Sequence, residues 1–190
     1  SLIFKKQFKN FFNLDSICIY NPIIKKYESR KNKNNKIKYL KIINVGRLTD
    51  QKDQLTLLKA FKIISKKIKT RLTIVGQGKK LNELRNYVEK ENLNNQVNFF
   101  GYSHKVEKLM KRADLFILTS KYEGLPNVLL EAQNLDLPII SSDCPTGPRE
   151  ILLAGKLGEL FPVGDYKKLS KKILNFYSNK KKHLNKSKLA

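Results

Sequence analysis

From about Tyr39 onward, short apolar runs alternate with longer amphipathic stretches. Tyr39 to Val45, Leu72 to Val75, Val97 to Phe99, Leu115 to Leu118 and Pro138 to Ser141 predict strands, with a last one around Glu159 to Phe161. Leu115-Phe116-Ile117-Leu118 has no polar alternation, so it reads as a strand buried on both faces. Between the runs, helical spacing appears at Lys52 to Lys67, Lys79 to Asn92 and Ser103 to Arg112. It returns after Pro126, briefly from Pro148, and from Asp165 to Tyr177. Strands and helices alternating through short loops predict an α/β fold. Its parallel sheet is covered on both faces by right-handed crossovers.

The ends depart from this rhythm. Residues 1–24 do not begin a domain: Phe4, Phe8, Phe11 and Phe12 share one helical face. Ile17 to Tyr20 reads as a short strand that Asn21-Pro22 ends. Residues 25–37 are basic and Asn-rich and read as an exposed loop. The regular unit is expected over 38–178, followed by a Lys-rich tail, 179–190, that frays. The start lacks a Met and the layout of a signal peptide, so the expectation is a piece of a longer chain.

Composition adds a sign rather than a class. The 190 residues are 41% hydrophobic and 29% charged, ordinary for a soluble globular domain, and the formal net charge is +23. Such a charge draws anionic partners: nucleic acid, an acidic membrane face or a phosphorylated substrate. Lys far outnumbers Arg, the residue preferred for specific phosphate contacts, so part of the charge reads as compositional drift. Aromatic residues are not interleaved with the Lys runs as stacking platforms would be, which argues against a nucleic-acid partner. No apolar run approaches the roughly 20 residues that cross a bilayer. Cys18 and Cys144 have no metal spacing and read as reduced thiols.

The candidate chemistry lies where strands end. Gly46-Arg47-Leu48 closes the first strand, and Lys52 follows. Gly46 lets a ligand approach the backbone. Arg47 and Lys52 could meet one diphosphate, although alone they read first as solvated cations. Val75-Gly76-Gln77-Gly78 closes the second strand and by itself indicates a tight turn. Phe100-Gly101-Tyr102 closes the third; Phe99 and Phe100 are expected in the core, and His104 reads as a surface residue at a helix start. After Leu118 comes Ser120-Lys121-Tyr122-Glu123-Gly124-Leu125-Pro126-Asn127-Val128-Leu129-Leu130-Glu131. Gly124 permits a tight turn, and Pro126 suits a first helical position. Amides near Gly124, Leu125 and Asn127 would face outward at the carboxyl end of a parallel strand, where α/β sheets bind ligands. Glu123 falls in the turn and Glu131 in the helix, and both suit hydroxyls of a sugar or a ribose. Asp143 to Glu150 forms a shaped turn that serves either structure or pocket lining, with Thr146 able to cap the next helix.

Taken together and in order, these motifs resemble the C-terminal, donor-binding half of a family-4 retaining glycosyltransferase of the GT-B architecture. The resemblance covers about residues 38–178 and implies a Rossmann-like sheet. Glu123 and Glu131 match the Glu-x7-Glu signature of that family. Glu-Gly-Leu-Pro-Asn with Asp-Cys-Pro-Thr-Gly-Pro-Arg-Glu is similar to bacterial enzymes that build capsule, O-antigen and lipid-linked oligosaccharides.

The resemblance implies a nucleotide-sugar donor, expected to be a UDP-sugar, with no permanently bound cofactor and no metal. Arg47 and Lys52 would bind the diphosphate and stabilise its charge as it leaves. Glu123 would face the sugar and Glu131 the ribose. The amides at Gly124, Leu125 and Asn127 would approach the diphosphate or sugar, and Gly101 and Tyr102 the base, with Gly46 and Gly76 also lining the site. A glycan or lipid-linked acceptor, a separate N-terminal acceptor domain, and peripheral attachment to the anionic cytoplasmic membrane face are implied with it. The rival expectations are a truncated nucleotide-binding module without catalysis and a basic nucleic-acid-binding domain.

Overall fold

The computed structural model describes residues 2–17 and 39–179. The expected loop at 25–37 lies outside the described residues, as does the tail from 180. So does the expected strand from Cys18 on, and Ile17 itself is irregular and exposed.

The first helix, α1, spans Leu2–Phe12. The regular unit contains six strands: β1 (Leu40–Val45), β2 (Thr70–Val75), β3 (Val97–Gly101), β4 (Leu115–Leu118), β5 (Ile139–Ser142) and β6 (Glu159–Phe161). Its helices are α2 (Gln54–Ser65), α3 (Leu81–Lys90), α4 (Val106–Lys111), α5 (Asn127–Asn134), α6 (Pro148–Ile151) and α7 (Tyr166–Ser178). All strand pairings are parallel, in the order β3-β2-β1-β4-β5-β6. This is a doubly wound, Rossmann-like sheet, and its strand order reverses between β1 and β4.

Alternation along the central strands sorts side chains to two cores. Ile42, Leu115 and Ile117 join one cluster with Leu57, Leu58 and Phe61 of α2, Leu84 and Val88 of α3, and Leu169, Ile173 and Phe176 of α7. Ile43, Phe116 and Leu118 turn the other way. They meet Met110 of α4, Leu129 and Ala132 of α5, and Ile151 of α6. Every residue of β4 is buried, as its unbroken apolar run requires.

Local chemistry fixes the helix starts. The Asp53 carboxylate caps α2, accepting the Thr56 amide at 3.3 Å and the Thr56 hydroxyl at 2.7 Å. Asp165 caps α7 in the same way through the Lys168 amide at 2.8 Å.

Three expectations change. The β2–β3 register shifts so that Val75 pairs with Gly101 after Ile74 pairs with Phe99. Phe100 is skipped and turned outward, 47% exposed rather than in the core. Pro126 (φ −72°, ψ 96°) is the cap before α5, not its first helical residue. Thr146 caps nothing: Gly147 is the cap residue of α6 and no side chain serves it.

Candidate donor-binding site

The crevice at the carboxyl ends of β1 and β4 lies at the reversal of strand order, where open α/β sheets bind ligands. Gly46, Arg47 and Lys52 sit on its β1 side; Glu123, Gly124 and Leu125 sit on its β4 side. Lys52 Nζ lies 2.5 Å from Glu123 Oε1, across 71 positions of sequence. Ser120 Oγ donates to the same oxygen at 2.5 Å. The Lys52 stem passes beside Gly46, its carbons 3.5–3.6 Å from where a β-carbon would stand, which is ordinary contact. Arg47 is exposed, and its guanidinium has no ion-pair partner among the described residues.

The loops are tied into one frame. Gln51 accepts the Lys121 amide at 2.8 Å through its carbonyl and donates its side-chain amide to the Tyr122 carbonyl at 3.0 Å. Thr119 Oγ1 donates to the Lys52 carbonyl at 2.9 Å. Gln54, buried at the start of α2, donates to the Arg47 carbonyl at 3.0 Å. From the β5 side, Ser142 Oγ donates to the Ser120 carbonyl at 2.6 Å, and Thr146 Oγ1 donates to the Glu123 carbonyl. Gly147 (φ +84°) presses on the same turn, where a β-carbon would fall 2.5 Å from the Gly124 oxygen. Asp143 to Glu150 is thus a brace for the Glu123 turn.

The Gly124 turn is open outward. A β-carbon at Gly124 would meet nothing within 4 Å. The amides of Gly124, Leu125 and Asn127 reach no acceptor among the described residues. They lead into α5, whose first turn carries partial positive charge.

Glu131 sits inside α5, half-buried and without a hydrogen-bond partner among the described residues. Burial pushes its carboxyl up, and the negative charge of Glu107 adds to the shift. Its near charge is therefore on α4, not at Glu123.

Gly76 is partly exposed, but it has no room for a side chain. Its φ is +142°, and a β-carbon there would fall 2.0 Å from the Gly46 oxygen. On that side it packs closely beneath the β1 loop. Gly101 and Tyr102 lie at the end of β3, two strands from β1. Gly101 faces open space, and the exposed Tyr102 ring meets His104 edge-on at 4.7 Å.

Buried Cys144 has its thiol pushed up to about 11, first by burial and then by the charge of Glu123. Among the described residues no group of His, Cys, Asp and Glu is placed to hold a metal ion, and no helix is long and apolar enough to cross a membrane.

Sequence reasoning missed Ser120, Thr119 and the bracing role of Thr146. Ser120 had one local signal, a hydroxyl three residues before Glu123. The contact of Thr146 spans 23 positions and left no trace in the sequence.

The fold is a Rossmann-like sheet with a crevice between β1 and β4 where its strand order reverses. The family model for glycosyl transferases group 1 matches residues 25–189, and the chain belongs to that family. It is 45% identical over 111 residues to an uncharacterized glycosyltransferase of Methanocaldococcus jannaschii, covering 58% of this chain and 27% of the relative. It is 39% identical over 112 residues to the amylovoran biosynthesis glycosyltransferase AmsD of Erwinia amylovora, covering 59% and 32%. A solved structure of TarM from S. aureus superposes with a TM-score of 0.84 at 21% identity, covering 96% of this chain and 37% of that one. The matched part is thus about a third of the length of these proteins.

Proposed function

We propose that the chain is the donor-binding part of a retaining glycosyltransferase, transferring a hexose or N-acetylhexosamine from a UDP-sugar in the synthesis of cell-surface polysaccharide. The observation that carries this reading is the joined pair Lys52 and Glu123 beside the open Gly124 turn, at the reversal of strand order. A cation and unclaimed amides suit a diphosphate, and a carboxylate next to them suits sugar hydroxyls. The AmsD relative acts in amylovoran biosynthesis, and the TarM structure contains UDP with a GlcNAc-glycerol, which supports both the pathway class and the donor.

In this reading Arg47 forks onto the diphosphate and Lys52 adds a point charge, so the leaving nucleotide's charge is stabilised by fixed cations and amides. Glu123 accepts from the sugar and Glu131 from the ribose. The unpartnered carboxylate of Glu131 supports its part of this assignment. The base lies toward Gly101 and Tyr102. The acceptor, a glycan or a lipid-linked glycan, is met by a separate N-terminal domain.

The +23 charge supports attachment of the protein to an anionic membrane face. A groove of about 470 Å³ at the amino ends of β1 and β2, lined by Lys66, Lys67, Lys69 and Arg71, offers cations away from the donor crevice.

Calorimetric titration with UDP, UDP-glucose and UDP-N-acetylglucosamine tests the reading. Saturable one-to-one binding of UDP and at least one sugar nucleotide is expected. Oligonucleotide binding that UDP does not compete, with no response to the sugar nucleotides, would replace it with the nucleic-acid reading.

A further inference from the structure

Glu123 is held by two donors on one oxygen. Lys52 Nζ and Ser120 Oγ both meet Oε1 at 2.5 Å, and neither meets Oε2. Both members of the ion pair are largely withdrawn from water, with side-chain exposures of 14% for Lys52 and 6% for Glu123. The frame around them is rigid. Ser120 is fully buried, its carbonyl is fixed by Ser142, and the Lys52 carbonyl is fixed by Thr119. A pair in such surroundings is built in, unlike the loose pairs of a protein surface.

The same ammonium is the cation that the nucleotide-sugar reading assigns to the diphosphate. Arg47 is unpaired among the described residues, whereas Lys52 already has a carboxylate. A diphosphate carries more negative charge than one carboxylate. A lysine, with three donors on a flexible stem, can move between two acceptors. Ser120 cannot follow, because its backbone is locked in the β4 turn.

We propose that Lys52 is exchanged between Glu123 and the donor diphosphate, and that Ser120 is the positioning residue that keeps Glu123 aimed at the sugar once Lys52 has turned away. This rests on the nucleotide-sugar reading above. Before the exchange, Lys52 neutralises Glu123 and weakens it as an acceptor. After the exchange, Oε1 keeps Ser120, and Oε2 faces the sugar with its full charge. Arrival of the diphosphate thereby switches on the carboxylate that receives the sugar. Glu123 also competes with UDP for Lys52, so it lowers the affinity for free UDP. With a whole donor, the sugar hydroxyls return what that competition takes.

The test is calorimetric titration of UDP and of the sugar nucleotide that the wild-type protein binds. Glu123→Gln keeps the size and removes the charge, and it should bind UDP about tenfold more tightly, as expected when a charge-assisted contact is released. Glu123→Ala serves as the second variant if the Gln protein folds poorly. In a Lys52→Ala background the gain should vanish, because no cation remains to be released. Ser120→Ala should leave UDP affinity unchanged and weaken the sugar nucleotide about fivefold. Unchanged or weaker UDP binding by both Glu123 variants overturns the exchange. Equal losses for UDP and sugar nucleotide in Ser120→Ala, with a lower Tm, show that Ser120 merely holds the turn and overturn its positioning role. If the wild-type protein binds neither ligand, the nucleotide-sugar reading itself falls, and the exchange falls with it.

Discussion

Two glycines of the crevice should respond oppositely to one added methyl group. At Gly76, an alanine β-carbon would lie 2.0 Å from the Gly46 oxygen and 2.9 Å from its carbonyl carbon, with φ at +142°. Ordinary contact begins at about 3.5 Å, so the β1 loop or the end of β2 must move by more than about 1 Å. Overpacking of this kind costs roughly 1–3 kcal/mol, and the strained backbone adds a comparable amount. A total of roughly 2–5 kcal/mol lowers Tm by about 5–15 °C in a domain of this size. At Gly124 the same methyl would meet nothing within 4 Å, and φ is not in the left-handed range. Gly124→Ala should therefore melt within about 2 °C of wild type. Its methyl would instead occupy the path by which a phosphate or sugar reaches the turn amides. Losing one charge-assisted contact there weakens UDP-sugar binding roughly tenfold to a hundredfold. Thermal melts by circular dichroism and calorimetric titration on both variants decide it. Wild-type affinity in Gly124→Ala would show that the ligand does not use this turn. A wild-type Tm in Gly76→Ala would refute the close packing of β2 beneath the β1 loop.

Arg47→Ala should weaken UDP by roughly 1.5–3 kcal/mol and uridine hardly at all, since the lost contact is to phosphate; equal losses by calorimetry would remove Arg47 from the diphosphate site. The carboxyl of Glu131 is raised by burial and by Glu107, so it binds its proton more tightly folded than unfolded. Its contribution to stability is fully present below the unfolded value and is lost as pH rises through the folded one. Glu131→Gln should accordingly raise Tm at neutral pH, by a margin that shrinks in acid, while weakening UDP and UDP-sugar alike; an unchanged Tm across pH would refute the burial argument. In a Cys18→Ser background, Cys144 should react with a thiol reagent at neutral pH only as fast as the protein opens, because its thiol is raised to about 11 and buried. Rapid labelling of the folded protein would contradict this.

Much of the scaffold follows from the chain's own pattern. The apolar run at 115–118 has no polar alternation, and a strand with that composition must be covered on both faces, so a parallel sheet with helices on both sides follows. Gly46, Gly76 and Gly101 announce where the first three strands end, because local backbone demands are written in local residues. Strand order and register are different in kind. The skipped Phe100 depends on how β3 is set against β2, and nothing in Phe99-Phe100-Gly101 shows which ring turns out. The site divides in the same way. Arg47, Lys52, Glu123 and Glu131 stand out as charged groups beside strand ends. That Lys52 joins Ser120 on one oxygen of Glu123 was decided by the pairing of β1 with β4, which brings together residues 71 positions apart. The placement of Gly76 under Gly46, and of Thr146 against the Glu123 carbonyl, was decided likewise by neighbouring strands. Sequence pattern records what each segment needs for itself, whereas contacts between loops exist only once the sheet has set their spacing.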